Sequence, residues 1–577
     1  MKISNLKYCI PVALMGLGFS SCEDFLDRPK EDGYVVDQFY QSDEECYQGV
    51  NYLYSMPWND MLQQIYHITE DLAGNCYEGG DNAPFVLFSV DGSHQKIRSC
   101  SEALWQTNAH CNTVYGLLKG AHASGYAKER AMGEALTLKA LAYFYIVRLW
   151  GDVPLVHDNG SEIGAGISNR KPKVDRRDIY EYIVMTLEEA MKLLDGKKYE
   201  PGRIDYYSAE GLLAKVLLTR SGLGMEGSRN QDDLDAAARY AKDVIDNSGR
   251  SLLPNYEDNF KLEFNKNEEA MITLAWYGSR DPWTANNFLQ QEVGMNGFDS
   301  YGQCWGDWTV PSADLQDAFG VSPMRSPEQN PSADTRRKAT MMMPGDVYSQ
   351  FWRNKGGFDY LRFLYDADYA PGKTYALNSG TGANQVKHLY GNSEDHYQGL
   401  GYYPQEQANG LATHLLRLSD IYLVYTEAVI GNNSSTSDAS AIDAFYAVRS
   451  RAVHGATRPA SVSFDDVWKE RRLELAFEGD RWFDYVRRSY YDAAACSREL
   501  ENQRRTTYYG LDDLYKTYYE TGRWELTESV RYAEEIEPHF TVDKSKYTLP
   551  LPETDIVFNP SLMNDPVRVD VRSTYSY

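Results

Sequence analysis

The chain is short of several features that point to particular functions, and basic residues are the first of these. In 577 residues, 58 Lys and Arg stand against 83 Asp and Glu, so the formal net charge is −25. Proteins that coat nucleic acid need the opposite balance, because Lys and Arg displace counterions from phosphate. The composition therefore argues against nucleic acid, and against an anionic membrane surface, as a partner.

Cysteine is also scarce. Two of the eight cysteines, Cys9 and Cys22, lie in the N-terminal segment, and no CxxC motif occurs. An even number of remaining cysteines permits disulfides in an exported chain, but so few cannot form the framework on which small secreted domains depend. We expect isolated thiols in the core. They are Cys46, Cys76, Cys100, Cys111, Cys304 and Cys496.

Common enzyme signatures are missing as well: HExxH, GxSxG and GxxxxGK[ST] do not occur. A GxGxxG match at 222–227 follows a predicted helix rather than a strand, so we interpret it as a loop and not as a nucleotide site. Carboxylates suited to glycoside hydrolysis are abundant, but the sequence cannot show two of them facing each other. We therefore predict no catalytic residues and keep a surface glycoside hydrolase as an alternative.

Long hydrophobic runs are confined to the N-terminus, where residues 8–19 are apolar but too short to span a bilayer. Lys2 and Lys7 precede this run, and Ser20 and Ser21 lead to Cys22. This arrangement resembles a bacterial lipobox, so we predict a signal peptide at 1–21 and a lipidated Cys22. A plain signal peptide with an incidental cysteine is the alternative. We expect residues 22–577 to form a single large domain.

Apolar residues recur at helical spacing in two blocks of the chain. One stripe in the first block consists of Met132, Leu136, Ala140, Phe144 and Val147. Further helices are predicted to follow an N-cap at Asp175 and to cover 208–220 and the region 234–244. The second block predicts helices at 415–430 and 441–452, and another that starts with a capping box at Ser463.

These patterns predict a mostly α-helical fold of antiparallel, tetratricopeptide-like helix pairs, since each amphipathic stripe must be buried against a neighbour. We expect the helical scaffold to occupy about 40–250 and 411–490, with a C-terminal segment at 491–577. Between the two blocks, residues 250–410 are rich in Gly, Pro, Asn, Tyr and Trp and contain one good strand candidate, at 270–278. We predict that this large loop-rich insertion, with little β-structure, binds the ligand.

Aromatic residues are concentrated at 276–308, where four of the eleven tryptophans occur. Trp276 shares a strand face with apolar residues and is expected in the core, whereas tryptophans in glycine-containing loops are harder to bury. Indole rings stack on the C–H faces of sugars, and neighbouring amides and carboxylates bind the hydroxyl groups. A second loop, 75–98, is a weaker candidate. The predicted ligand-binding residues are Trp283, Tyr301, Trp305, Trp308, Asn287, Asp307, Tyr77 and Arg98.

The segment 468–484 is dense in charges at helix-neighbour spacing. We interpret it as a buried structural ion-pair network at a helix turn near Gly479, rather than as a catalytic centre.

Motifs throughout the chain resemble those of the SusD/RagB family of Bacteroidetes nutrient-binding lipoproteins. The most specific is ERRLELAFEGDRWFD at 470–484, and NDP at 564–566 departs from the family's usual QNPGY. The other matching motifs are CEDFLD at 22–27, EALTLKALAYFY at 134–145, WGDVPL at 150–155, RDIY at 177–180, LRLSDIYLVYTEA at 416–428, VRSRA at 448–452, LPLP at 549–552 and NP at 559–560.

The resemblance implies four tetratricopeptide-like helix pairs and a loop-rich ligand-binding part. It also implies a lipid-anchored, non-catalytic protein on the extracellular side of the outer membrane, where it captures oligosaccharides for a SusC-like TonB-dependent transporter. The acidic composition favours a neutral glycan. A helical scaffold that binds peptides or protein partners is a further alternative. We predict no cofactor, and the sequence leaves open whether a structural calcium ion supports a loop.

Overall fold

The computed structural model of the protein describes residues 40–164, 170–278, 286–299, 304–331, 333–401 and 409–577. The predicted signal peptide and Cys22 lie outside this part of the chain. Within it, no helix combines the length and the apolar character that a membrane crossing requires.

The first block of helices begins the described chain. Its elements are α1 (Asp43–Asn51), α2 (Met56–Leu72), β1 (Cys76–Glu78), α3 (Ala83–Val86), α4 (Gln95–Lys119), α5 (Gly125–Trp150), α6 (Asn159–Gly164), α7 (Arg176–Leu194), α8 (Tyr206–Arg220) and α9 (Gln231–Asn247). The long helices pack on their neighbours along the chain: α2 on α4, α4 on α5, α5 on α7, and α8 on α7 and α9.

Helix α5 is the central element of this block. The hydroxyl of Ser124 caps its N-terminus by accepting a hydrogen bond from the backbone of Ala127. The predicted stripe from Met132 to Val147 is buried, but so are all the other residues from Arg130 to Trp150, because helices cover α5 on several sides. Gly151, at a φ of 69°, ends the helix in a backbone conformation that glycine adopts most easily.

Short elements dominate the loop-rich middle of the chain. They are β2 (Ala270–Leu274), α10 (Leu289–Val293), β3 (Thr309–Pro311), α11 (Ala313–Ala318), α12 (Thr335–Thr340), β4 (Met341–Met342), β5 (Val347–Tyr348), β6 (Phe358–Asp359), α13 (Tyr360–Tyr365), β7 (Asn384–Gln385) and α14 (Ser393–Leu400). This part shares a hydrophobic core with the C-terminal segment, and Phe298, Trp352 and Phe358 are in contact there.

The second helical block and the C-terminal segment complete the chain. Their elements are β8 (Thr413–Arg417), α15 (Leu418–Ile430), β9 (Ser435–Thr436), α16 (Ala439–Ala452), β10 (Val462–Ser463), α17 (Phe464–Leu475), α18 (Arg481–Glu501), β11 (Tyr508–Tyr509), α19 (Leu511–Thr521), β12 (Arg531–Tyr532), α20 (Glu553–Phe558) and α21 (Val571–Thr574). Helix α15 packs on α9 and joins the second block to the first.

The described strands form antiparallel pairs: β1 with β3, β2 with β8, β4 with β7, β5 with β6, β9 with β10 and β11 with β12. The predicted mostly helical fold with little β-structure is confirmed. Two predicted boundaries were wrong. The strand expected at 270–278 ends at Leu274, and the helix expected from 415 begins at Leu418, because the preceding residues pair with β2.

The charged segment at 468–484 forms the buried ion-pair network that the sequence predicts. Glu474 is fully buried and forms ion pairs with Arg451 at 2.6 Å and with Arg417 at 3.1 Å. Burial opposes ionisation of Glu474, but the nearby guanidinium groups of Arg451, Arg417 and Arg336 outweigh it and lower the pKa of this carboxyl. Gly479, at a φ of 78°, makes the turn between α17 and α18. The six predicted core thiols are likewise free and buried.

Candidate functional site

An open cavity of about 460 Å³ lies in the loop-rich part of the chain. We call it the aromatic pocket and define it by its described lining residues. These are Asn296, Cys304, Trp305, Asp307, Trp308 and Asn378. Five of the six come from the connection between α10 and β3, so one stretch of chain forms most of the cavity.

This connection is held in place by backbone hydrogen bonds to α10. The amide of Trp305 donates to the carbonyl of Gln291 at 3.1 Å, and the amide of Gly306 donates to the carbonyl of Gly294 at 2.8 Å. Gly306 lies so close to α10 that a Cβ atom on it would be 2.2 Å from the carbonyl carbon of Val293. Only glycine allows this close approach, which turns the two neighbouring tryptophans toward the cavity.

The two tryptophans of the pocket differ in how they are held. Trp308 is 71% exposed, so its ring is available for stacking. Trp305 is 39% exposed, and its indole Nε1–H donates to Glu292 Oε2 at 3.1 Å. The hydrogen bond to Glu292 fixes the orientation of the Trp305 ring, and the exposed ring of Trp308 adds a second apolar surface beside it.

Polar groups surround the two rings. Asp307 Oδ2 accepts hydrogen bonds from the amide of Asn296 at 3.2 Å and from Asn378 Nδ2 at 3.3 Å. Burial raises the pKa of Asp307 above its usual value. Asn296 and Asn378 are exposed, so their side-chain amides are accessible to a ligand in the cavity. The pocket thus combines aromatic faces with hydrogen-bonding groups.

Strand β3, which begins directly after Trp308, pairs antiparallel with β1 and joins the pocket to the helical scaffold. In this pair Tyr77 stands opposite Val310, and Glu78 stands opposite Thr309. Tyr77 is half-buried and is not among the described lining residues, but its strand supports the wall of the pocket.

The other predicted site residues lie in different surroundings. Asn287 was expected to contact ligand, but it is 1% exposed, and its Nδ2 donates to the carbonyl of Leu411 at 2.7 Å. Its amide satisfies buried backbone groups between two segments, so in this structure it does not reach the pocket. Arg98 lies in the first turn of α4, where it donates to Gln95, and it does not line the pocket. Trp283 and Tyr301 lie outside the described residues.

Trp276 is 7% exposed, as expected for a core residue, and the ring of the following residue, Tyr277, is 77% exposed on the opposite face.

Sequence reasoning missed Asn296, Asn378 and Glu292. Asn296 lies inside the aromatic-rich window, and its neighbouring glycine and aspartate were a usable signal. Asn378 is at least 70 positions from either tryptophan of the pocket, and no sequence pattern connects it to them.

The chain is similar to proteins of one family over most of its length. The model of the SusD family matches residues 257–567. A SusD-like protein of Bacteroides ovatus is 30% identical over 581 aligned residues, which cover 98% of this chain and 99% of that protein.

Solved structures give the same result. A crystal structure determined with xylogluco-oligosaccharide is 27% identical, with a TM-score of 0.77, and the match covers 92% of this chain and 100% of that one. A laminarin-binding SusD-like protein has a TM-score of 0.59 at 22% identity, over 81% of this chain and 96% of that one, and shows the shared fold alone. The chain belongs to the SusD family, as its motifs predict.

Proposed function

We propose that the protein binds glycans at the aromatic pocket and does not cleave them. The observation that carries this proposal is the 71% exposed ring of Trp308, held beside the amides of Asn296 and Asn378. A sugar ring offers a flat face of C–H groups that stacks on indole, while its hydroxyl groups bond to amides and carboxylates.

The charges of the pocket favour a neutral glycan. The described lining residues include no Lys or Arg, and Asp307 is their one carboxylate. A polyanionic glycan needs cations to compensate its own charge, and the protein as a whole carries −25. We therefore expect neutral oligosaccharides to bind more tightly than uronic-acid polymers.

Xyloglucan fragments are the ligand class that we propose first. The structure determined with xylogluco-oligosaccharide matches this chain over 92% of its length at 27% identity, which supports a related ligand here. Xyloglucan is neutral and offers successive C–H faces, in agreement with the composition of the aromatic pocket.

The alternative of a surface glycoside hydrolase is less well supported. Hydrolysis requires two carboxyl groups on either side of the scissile bond, about 5 to 10 Å apart. Among the described lining residues Asp307 stands alone, and the nearby Glu292 is engaged by Trp305 and His67. Binding without cleavage is therefore the function that this geometry supports best.

We further propose that Cys22 carries a lipid that anchors the protein to the extracellular side of the outer membrane, and that a SusC-like transporter receives the glycan. The signal-like segment and the family membership support this proposal. Replacement of Cys22 by Ala should release the protein from the detergent-soluble membrane fraction. A tagged wild-type protein should copurify with an outer-membrane transporter, and recovery of the protein without one would contradict the proposed partnership.

Affinity gel electrophoresis tests the binding function directly. Xyloglucan in the gel should retard the wild-type protein. Two further gels serve for comparison: one contains a neutral polysaccharide without a cellulose-type backbone, and the other contains an acidic pectin. The same protein incubated with xyloglucan should release no new reducing ends. Retardation by none of the polysaccharides would remove the glycan-binding proposal, and release of reducing ends would replace it with hydrolysis.

A further inference from the structure

Three metal-ligating side chains meet behind the aromatic pocket. His67 and Asp71 lie one turn apart on α2, so they share a face of the helix, and Glu78 ends strand β1. One ligand atom from each residue lies within 4.8 Å of the other two. All three residues are buried, with exposures of 3%, 0% and 6%.

The carboxylate of Asp71 lacks hydrogen-bond donors among the described residues. Neither of its carboxylate oxygens receives a hydrogen bond from an N–H donor of the described residues, although the residue is completely buried, and its polar neighbour is the carboxyl group of Glu78. A buried carboxylate without a donor costs free energy, and a bound cation would offset that cost.

A second layer of residues orients the cluster. The ring of His67 has Nδ1 at 2.7 Å from Glu78 Oε2 and Nε2 at 3.1 Å from Glu292 Oε2. A bound cation would replace the Nδ1 proton that the ring shares with Glu78, while the Nε2–H would stay directed at Glu292. Carboxylates that hold the far nitrogen of a histidine in this way are typical of metal centres. Asn82 plays the same part for Glu78, since its Nδ2 donates to Oε1.

We propose that His67 Nδ1, Asp71 and Glu78 form a binding site for a divalent transition-metal ion of the Zn²⁺ or Mn²⁺ class. Such ions bind imidazole and carboxylate ligands at about 2.0 to 2.2 Å, so ligand atoms around them lie about 3 to 4 Å apart. The three ligand atoms lie within 4.8 Å of one another, so small side-chain shifts bring them to this geometry. A histidine in the ligand set disfavours calcium, which prefers oxygen ligands.

The proposed site is connected to the aromatic pocket by hydrogen bonds. Glu292 Oε2 faces His67 on one side and accepts from Trp305 Nε1 on the other. The ligand Glu78 also lies in β1, which pairs with the strand that follows Trp308. An ion bound here would fix α2, β1 and Glu292 together and thereby hold the indole of Trp305 in place.

Isothermal titration of the purified, chelator-treated protein tests this proposal, with Zn²⁺, Mn²⁺ and Ca²⁺ as separate probes. We expect one equivalent of Zn²⁺ or Mn²⁺ to bind, and Zn²⁺ to raise the thermal midpoint of unfolding. Asp71→Asn keeps the shape of the side chain and removes its charge, so the Kd should rise by at least about 100-fold, since changes to groups that merely orient the ligands already cost about 10- to 100-fold. Co²⁺ should produce a visible absorption band in the wild type that Asp71→Asn lacks.

Asp81→Asn is the matched control, because Asp81 is an exposed carboxylate in the same segment and does not belong to the cluster. It should bind Zn²⁺ like the wild type. If Asp71→Asn fails to fold by circular dichroism, Glu78→Gln takes its place in all measurements. Three results would overturn the proposal: no binding of Zn²⁺ or Mn²⁺, binding that survives in the folded ligand variant, or tighter binding of Ca²⁺ than of either transition metal.

Discussion

Replacement of Trp308 by Ala separates glycan binding from folding more cleanly than any other change in the pocket. The ring is 71% exposed in the free protein, so its removal takes away little buried surface. The free energy of unfolding of the variant should therefore lie within about 0.5 kcal/mol of the wild-type value, as is usual for surface substitutions. Any larger loss of affinity then reflects the missing contact with the sugar.

The expected loss of affinity follows from the surface that a stacked sugar covers. One face of an indole ring contributes about 80 Å² of apolar surface, which is a third to a half of what a fully buried aromatic side chain loses. At about 25 cal/mol per Å², this surface corresponds to about 2 kcal/mol. The Kd for a xyloglucan oligosaccharide should therefore rise about 30-fold.

Isothermal titration of both proteins with the same oligosaccharide measures this difference. Phe558→Ala is the matched control, because Phe558 is 77% exposed and does not line the aromatic pocket. Its affinity should equal that of the wild type. If Trp308→Ala binds within twofold of the wild type while the wild type itself binds, the stacking argument is refuted, even though glycan binding elsewhere would stand.

Three further changes test other parts of the structure. Gly306→Ala places a Cβ about 2.2 Å from the backbone of Val293, so the loop must shift, and titration should show a loss of affinity of about tenfold. Glu474→Gln removes a buried carboxylate that Arg417 and Arg451 share, which leaves their positive charges less compensated, and urea unfolding should show a loss of about 3 kcal/mol. Burial, together with the charge of Arg417, lowers the pKa of His414 to about 4, so His414 in the folded protein stays neutral while the unfolded chain takes up a proton near pH 6.5. Stability is therefore lost as pH falls from 6.5 to 4, and His414→Gln should remove about 2 kcal/mol of the loss between pH 7 and pH 5.

Each of these predictions has its own contrary result. A Gly306→Ala protein with unchanged affinity would show that the position of the loop does not matter for binding. A Glu474→Gln protein as stable as the wild type would mean that the network contributes nothing net. Identical pH dependence of unfolding in the wild type and in His414→Gln would show that this histidine takes up its proton in the folded state as readily as in the unfolded state.

Local patterns in the sequence predicted the helical scaffold well. The stripe from Met132 to Val147 and the capping box at Ser463 both lie where helices occur, since helix formation depends on spacings within one or two turns. The alternation of Trp276 and Tyr277 between the two faces of an extended segment was likewise readable, because it requires only the period of two.

The pocket was less predictable because its parts meet through long-range contacts. Strand β1 and strand β3 pair across more than 200 residues, and Asn378 reaches the pocket from a separate loop. Asn287 was misassigned because a buried amide that bonds to backbone groups has the same sequence signature as one that bonds to ligand. Burial depends on the packing of Leu411 and its neighbours, which no local pattern reveals.

A crystal structure of the protein with a xyloglucan oligosaccharide would show where the glycan binds. We expect an intact oligosaccharide with one sugar ring stacked on the exposed face of Trp308, and with hydroxyl groups bonded to Asn296, Asp307 or Asn378. An oligosaccharide bound at another surface, with the aromatic pocket left free, would contradict this expectation.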